Sequence, residues 1–163
     1  MTTILGIDPG SRATGFGIVQ LDGKTPRYVT SGCISVADKP LAERLSTIYQ
    51  HLSELIGEYH VTEAAIESVF MHVNPSSALK LGQARGAAIV AVGQHQVPLA
   101  EYAPRAIKQA VVGYGAAKKD QMQHMVKHLL NLSGTLQADA ADALAVALCH
   151  VNHRARQQLE KNL

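Results

Sequence analysis

The order of apolar and polar residues along the chain predicts an α/β fold. Short apolar and β-branched stretches at 2–10, 13–23 and 26–36, separated by turn residues such as Asp-Gly, indicate three strands. Leucine and isoleucine then recur at helical spacing over 41–60, and 62–70 returns to a strand pattern. The first part of the chain therefore predicts the order βββαβ.

The second part of the chain adds one strand and several helices. Residues 75–95 predict a helix with Pro75 near its start, and 97–102 predict a fifth strand. Further helices are predicted at 104–113, 118–130 and 138 to about 154. A meander followed by helix and strand alternation fits a five-stranded mixed sheet with helices on both faces.

Length and composition indicate a single domain. With 163 residues, 47% of them hydrophobic, the chain can bury one core but not two of ordinary size. We expect this domain to span residues 1–154. The polar residues 155–163 are expected to form a flexible tail.

Two features of the sequence favour a cytoplasmic protein that makes no membrane contact. No apolar run reaches the roughly 20 residues that a membrane span needs, and the N-terminus lacks the pattern of a signal peptide. The two cysteines, Cys33 and Cys149, lack the spacing of a zinc motif, which favours reduced, buried thiols over a disulfide.

The net charge of +2 is distributed unevenly. Residues 1–70 carry five basic and eight acidic side chains, whereas residues 71–131 carry seven basic and two acidic ones. A basic middle segment suits a polyanion such as nucleic acid. A solvated basic surface without a partner is an equally good explanation of the charge alone.

Four acidic residues stand where charge is unexpected. Asp139 and Asp142 interrupt the apolar helix "QADAADALAVAL", and their spacing of three places them on one helix face. Asp8 ends the first predicted strand, and Glu67 lies late in the fourth. If these two strands are neighbours, the final helix could bring all four acids together.

Such a cluster would repel itself strongly without a cation, and an all-oxygen ligand set suits Mg²⁺ or Mn²⁺. Two ions about 3.5–4 Å apart can activate water and stabilise a leaving oxygen, so the cluster predicts phosphodiester hydrolysis. Each acid also has an ordinary explanation. Asp8 could form a turn, Glu67 could be a surface acid, and Asp139 could cap its helix.

Four motifs, "ILGIDPGSRATGFGIV", "AAIESVF", "NPSSALKLGQARG" and "QADAADALAVA", closely resemble the RuvC family of Holliday-junction resolvases, in the ribonuclease H-like superfamily. The resemblance covers nearly the whole chain. It implies a ribonuclease H-like nuclease domain and a homodimeric crossover junction endodeoxyribonuclease. Such an enzyme would use Mg²⁺ to nick two opposing strands of a four-way DNA junction in recombination and repair.

The resemblance also assigns roles to individual residues. It implies that Asp8, Glu67, Asp139 and Asp142 are the metal ligands, for two Mg²⁺ ions, with Mn²⁺ as an alternative. Some relatives carry histidine at the position of Asp139, so that ligand type varies within the family. A branch-migration complex, RuvA–RuvB, is the further partner that the resemblance implies.

DNA contacts follow from the same resemblance. Phe70 occupies the position of a family aromatic that stacks on bases, and its alternative role is that of a core aromatic. Lys108 and Lys119 match family lysines near the scissile phosphate, and the sequence does not rank Lys119 against neighbouring Lys118. Weaker candidates for DNA backbone contact, for which a solvated surface is at least as good an explanation, are Arg85, Lys80 and Arg105.

The helix at 75–95 carries Ala78, Gly82, Gly86 and Val90 at four-residue intervals. This smooth stripe could contact a second copy of the chain or pack on its own sheet, and the family's dimeric state favours the dimer. His124 and His128 have the spacing of helical metal ligands but no carboxylate between them. We interpret them as surface or DNA-facing residues.

Two other functions remain open. The turn "GIDPGSRATGFG" also resembles the first phosphate loop of actin-like and sugar-kinase ATPases. Those ATPases need two domains of this kind, and the chain lacks a Walker lysine after the second glycine. A junction-binding module that has lost catalysis is the other possibility, although all four acids are present.

Overall fold

A computed structural model describes residues 1–68 and 74–162. It contains five strands in one sheet: β1 (Thr2–Asp8), β2 (Ala13–Asp22), β3 (Thr25–Ser35), β4 (Glu63–Glu67) and β5 (Leu99–Tyr102). The helices are α1 (Leu41–Glu58), α2 (Pro75–Gln94), α3 (Pro104–Val112), α4 (Lys119–Leu129) and α5 (Ala138–Lys161). The predicted order of elements is confirmed.

The sheet is mixed, with the strand order β3-β2-β1-β4-β5. β1, β2 and β3 form an antiparallel meander, and β4 and β5 run parallel to β1. β1 is central and buried on both sides, which explains its nearly continuous apolar sequence. The predicted five-stranded mixed sheet is thereby confirmed.

Helices cover both faces of the sheet, because successive side chains of a strand point to opposite faces. Ile4 of β1 packs in a core with residues of α3, α4 and α5. Leu5 and Ile7 pack in a second core with residues of α1 and α2. The sheet therefore separates two apolar cores.

Local sequence signals set the ends of the helices. The Asn74 side chain accepts a hydrogen bond from the Ser76 amide at 2.9 Å, and Pro75 fills the first helical position of α2. Gly113 ends α3 in the left-handed conformation, with φ of 103°, which a side chain would disfavour.

The last helix is longer than the sequence pattern predicted. The prediction ended it near residue 154, whereas α5 continues to Lys161. The pattern failed there because residues 156–161 are exposed and carry no apolar periodicity, yet they are good helix formers that extend the helix past the core.

In the described part of the chain, no helix combines the length and the apolar character that crossing a membrane requires.

Candidate active site

Asp8 and Glu67 end two neighbouring parallel strands. The register of β1 and β4 pairs Ile7 with Ile66, so the next residue of each strand lies beside the other. These two strands are therefore neighbours, which is the condition that the gathering of the four acids required. The carboxyl groups of these two acids lie close enough to share a hydrogen bond when one of them is protonated.

The first turn and a half of α5 brings in the other two acids. One carboxylate oxygen from each of Asp8, Asp139 and Asp142 lies within 4.8 Å of the other two. Because the Glu67 carboxyl group adjoins that of Asp8, the structure brings all four predicted acids to the carboxyl ends of β1 and β4.

Glycine allows α5 to lie directly on the sheet at this point. Gly15 of β2 pairs with Asp8. A Cβ atom added at Gly15 would fall on the Asp139 carbonyl oxygen and lie 2.8 Å from the carbonyl carbon. At Gly6 an added Cβ would lie 2.7 Å from the Ala147 amide nitrogen. The absence of a side chain at Gly6 and Gly15 therefore allows the acids of α5 to approach the acids at the ends of the strands closely.

The acids perturb one another strongly. Burial, then the hydrogen bond to Glu67 and the charges of Glu67, Asp142 and Asp139, raise the pKa of Asp8 to about 8. Burial and the charge of Asp142 also raise the pKa of Glu67. For Asp142, burial is again the largest cause of a raised pKa. A cation at the cluster would relieve this repulsion.

The ordinary explanations for these acids fit the structure less well. Asp8 is the last residue of β1 rather than part of the following turn. Glu67 lines a cavity instead of standing on an open surface. Gln137 is the N-cap residue of α5. Asp139, the second residue of the helix, accepts a hydrogen bond from the Cys33 thiol at 3.5 Å.

A cavity of about 230 Å³ opens beside the cluster. Glu67, Asp142, Lys108 and Lys119 form its polar wall. Its apolar lining consists of Pro104, Ile107, Ala117, Met122, Ala145 and Val146. The Lys119 ammonium group lies 3.5 Å from Asp142, and both lysines lower the pKa of Glu67 against the larger effect of burial. Acids that can bind a cation thus adjoin two lysines that can bind an anion.

The structure separates the two neighbouring lysines that the sequence left unranked. Lys119 is the first residue of α4 and contacts Asp142. Lys118 is the N-cap residue, and its side chain is exposed. Its backbone amide donates to the Gln121 side chain at 2.8 Å. Lys119 is therefore the lysine at the acids.

The remaining predicted DNA contacts lie farther out or outside the described residues. Arg85 on α2 forms an ion pair with Glu101, while Lys80 and Arg105 are exposed. His124 and His128 are exposed on α4, as the interpretation as surface residues expects. Phe70 lies outside the described residues.

Sequence reasoning missed Cys33 and Gly15 as parts of this site. Cys33 had been interpreted only as a buried thiol, yet it is half-buried and touches Asp139. Burial, then its hydrogen bond to Asp139, raises the pKa of Cys33. The strand register, which the sequence does not contain, is the signal that would have found both residues.

Comparison with known proteins agrees with this geometry. The family model of the crossover junction endodeoxyribonuclease RuvC matches residues 4–150. The crossover junction endodeoxyribonuclease RuvC of Marinobacter nauticus is 59% identical over 152 residues, covering 93% of this chain and 87% of the relative.

Solved structures give the same result. Thermus thermophilus RuvC in complex with Holliday junction substrate aligns with a TM-score of 0.90 and 30% identity, over 96% of this chain and 97% of that one. The yeast mitochondrial Holliday junction resolvase Ydc2 shares the fold, with a TM-score of 0.73 and 13% identity over 99% and 82% of the two chains. From the sequence match and the shared fold, the chain belongs to the RuvC family of crossover junction endodeoxyribonucleases.

Proposed function

We propose that this chain is a metal-dependent endonuclease that nicks two opposing strands of a four-way DNA junction symmetrically, in recombination and repair. The observation that carries the proposal is the convergence of Asp8, Asp139 and Asp142, with the Glu67 carboxyl group beside that of Asp8. Relatives named crossover junction endodeoxyribonuclease, and a solved relative bound to a Holliday junction, support this substrate.

The donor set fits a hard divalent cation. Every candidate ligand atom is a carboxylate oxygen, and Mg²⁺ prefers such ligands together with water and phosphate oxygens. The raised pKa of Asp8 also favours a cation at this site. Burial and repulsion keep a proton on Asp8, and a bound cation would replace that proton. We therefore propose two Mg²⁺ ions per site, held by the four acids, with Mn²⁺ as a substitute.

Bound divalent ions would make a water nucleophilic and stabilise the leaving oxygen of the phosphodiester. Side chains of the protein would position the substrate and bind its phosphate. Glu67 and Asp142 line the cavity beside the cluster, so a scissile phosphate in this cavity would lie next to the metal ligands. Lys108 and Lys119 would bind its oxygens, since both lysines line the same cavity.

Other DNA contacts in the proposal rest on the family resemblance. Phe70 would stack on a base of the opened junction. Lys118, Lys80 and Arg85 would contact the DNA backbone, although the ion pair of Arg85 with Glu101 already uses part of its charge. Contact with a RuvA–RuvB complex and a cytoplasmic location stay predictions.

We propose a two-fold dimer through α2. Leu79 and Val90 are exposed on this helix, 66% and 52% respectively. Between them, Gly82 and Gly86 are exposed, and a Cβ atom added at either would meet nothing within 4 Å. A smooth apolar stripe of this kind lets a second helix approach closely, and two related active sites would deliver the two matched nicks.

The dimer can be tested by sedimentation. Gly86→Glu places a charge on the stripe. This variant should be monomeric, bind junctions weakly and nick one strand of a junction at a time. Gly57→Glu, at an exposed position in the last turn of α1, is the matched control and should remain dimeric. A dimer that survives Gly86→Glu would place the contact elsewhere.

Nicking of a labelled junction tests the activity. A four-way junction labelled on each strand is incubated with the protein and either Mg²⁺ or EDTA, and ATP turnover is measured in parallel. Paired nicks on opposing strands that need the metal support the proposal. ATP turnover without nicking would support the ATPase alternative, and tight binding without nicking would support the binding module.

A pair of variants makes the same test specific to the site. Asp142→Asn should abolish nicking while junction binding persists, because phosphate affinity comes mainly from lysine and arginine. Asp120→Asn changes an exposed acid in the first turn of α4, outside the cluster, and should cleave normally. Equal losses in both variants would argue against the assigned cluster.

A further inference from the structure

Cys33 lies in line with the acidic cluster across three strands. The register pairs Asp8 of β1 with Gly15 of β2, and Gly15 with Cys33 of β3. Side chains that are paired in this way point to the same face of a sheet. Asp8 and Cys33 therefore both face α5, with the side-chain-free Gly15 between them.

Asp139 fills the space above Gly15. Its carbonyl group lies where a Cβ atom of residue 15 would stand. Neighbouring strands are about 4.8 Å apart, so Asp8 and Cys33 are separated by roughly 10 Å. The Asp139 carboxylate lies in this gap. On one side it approaches Asp8, and on the other its Oδ2 accepts a hydrogen bond from the Cys33 thiol at 3.5 Å.

Electrostatics alone would not hold Asp139 in this position. Its carboxylate faces two other acids of the cluster, and repulsion favours a rotation toward solvent. Over residues 1–68 and 74–162, the Cys33 thiol is the only side chain that donates a hydrogen bond to it. A donor on the far side of the carboxylate opposes that rotation.

We propose that Cys33 is a positioning residue for the metal ligand Asp139. Its thiol fixes one carboxylate oxygen and so restricts the rotation of the group, which keeps the carboxylate directed at Asp8 and Asp142. This inference rests on the proposed metal-dependent function. Partners of metal ligands that act in this way tune metal affinity without touching the metal.

Calorimetric titration of the DNA-free protein with Mn²⁺ tests the inference without turnover. Cys33→Ala and the bulkier Cys33→Val remove the donor, while Cys33→Ser keeps one. Losing such a partner typically weakens metal binding about 10- to 100-fold, and a thiol is a weak donor, so we expect Kd to rise about tenfold or somewhat less in the first two variants. Cys33→Ser should stay within about twofold of the wild type.

Cys149 provides the matched control. Its thiol donates to a backbone carbonyl of α3, that of Ala106, at 3.8 Å, and it lies in the core around α5 rather than beside Asp139. Cys149→Ala should therefore bind Mn²⁺ as the wild type does. Melting temperatures in EDTA show that each variant is folded at the titration temperature, and Cys33→Val replaces Cys33→Ala if the alanine variant does not fold.

Two results would overturn the inference. Unchanged Mn²⁺ affinity in both Cys33→Ala and Cys33→Val would remove any positioning role. Equal weakening in Cys33→Ser and Cys33→Ala would show that the site requires sulfur itself rather than a donor. Failure of the wild-type protein to bind Mn²⁺ is a different result, because it would overturn the proposed metal site together with this inference.

Discussion

Gly15→Ala tests how the site is assembled. The added methyl group would stand 2.8 Å from the carbonyl carbon of Asp139 and still closer to its oxygen. Carbon atoms in contact are normally about 3.5 Å apart or more, so the start of α5 must move by about 0.7 Å or more. The strand cannot yield easily, since β2 is paired on both sides.

This displacement predicts separate losses of activity and stability. A shift of about 1 Å in a reacting geometry can cost about 100-fold in rate, so junction cleavage at saturating Mg²⁺ should fall by about that factor. Overpacking of this kind costs about 1–3 kcal/mol of the free energy of unfolding. Junction binding should change less than cleavage, because phosphate affinity comes mainly from lysine and arginine, which the substitution leaves in place.

Single-turnover nicking, junction binding and urea unfolding measure these three effects. Gly57→Ala, in the last turn of α1, is the control, because a Cβ atom there meets nothing within 4 Å. It should cleave normally and gain about 0.5–1 kcal/mol from the helix preference for alanine. Wild-type cleavage and stability in Gly15→Ala would refute the close approach of α5 to β2.

Three further predictions concern charge and DNA contact. In EDTA, the stability of the wild type should fall as pH rises from about 4 to about 8, because the folded chain keeps the proton of Asp8 with a pKa of about 8 while the unfolded chain releases it near 3.8. Asp8→Asn should flatten that slope in urea titrations and abolish cleavage; an unchanged slope would mean that Asp8 ionises normally. Lys119→Met should slow cleavage and lower the salt dependence of junction binding by about one phosphate contact, measured by fluorescence anisotropy across salt concentrations. An unchanged cleavage rate would remove Lys119 from the site. Phe70→Ala should slow cleavage more than it weakens binding, and equal rates in variant and wild type would return Phe70 to a packing role.

The sequence by itself determined the elements of the fold, and it singled out four acids as candidates for a shared site. Continuous apolar runs mark strands buried on both faces, and the spacing of leucine and isoleucine marks α1. Asp139 and Asp142 were identifiable because a charge inside an apolar helix needs compensation wherever the helix packs. The motifs then led to the family that the comparisons confirm.

Some features were beyond any pattern in the sequence. The pattern predicted the end of α5 near residue 154 because apolar periodicity marks only the helical residues that are buried. The last turns of α5 are exposed, so they carry no such periodicity. The pattern also left Lys118 and Lys119 unranked, because the sequence does not show in which direction each of two neighbouring lysine side chains points. The N-cap position of Lys118 and the first helical position of Lys119 decide which one reaches Asp142.

Tertiary structure alone decided which residues meet. Asp8 and Gly15 share the first motif but Cys33 lies outside it, and strand register places all three in one row under Asp139. Secondary structure follows local periodicity, which a sequence displays directly. Contacts between distant segments depend on strand order, register and the depth of helix packing, which are set by the packing of the whole domain.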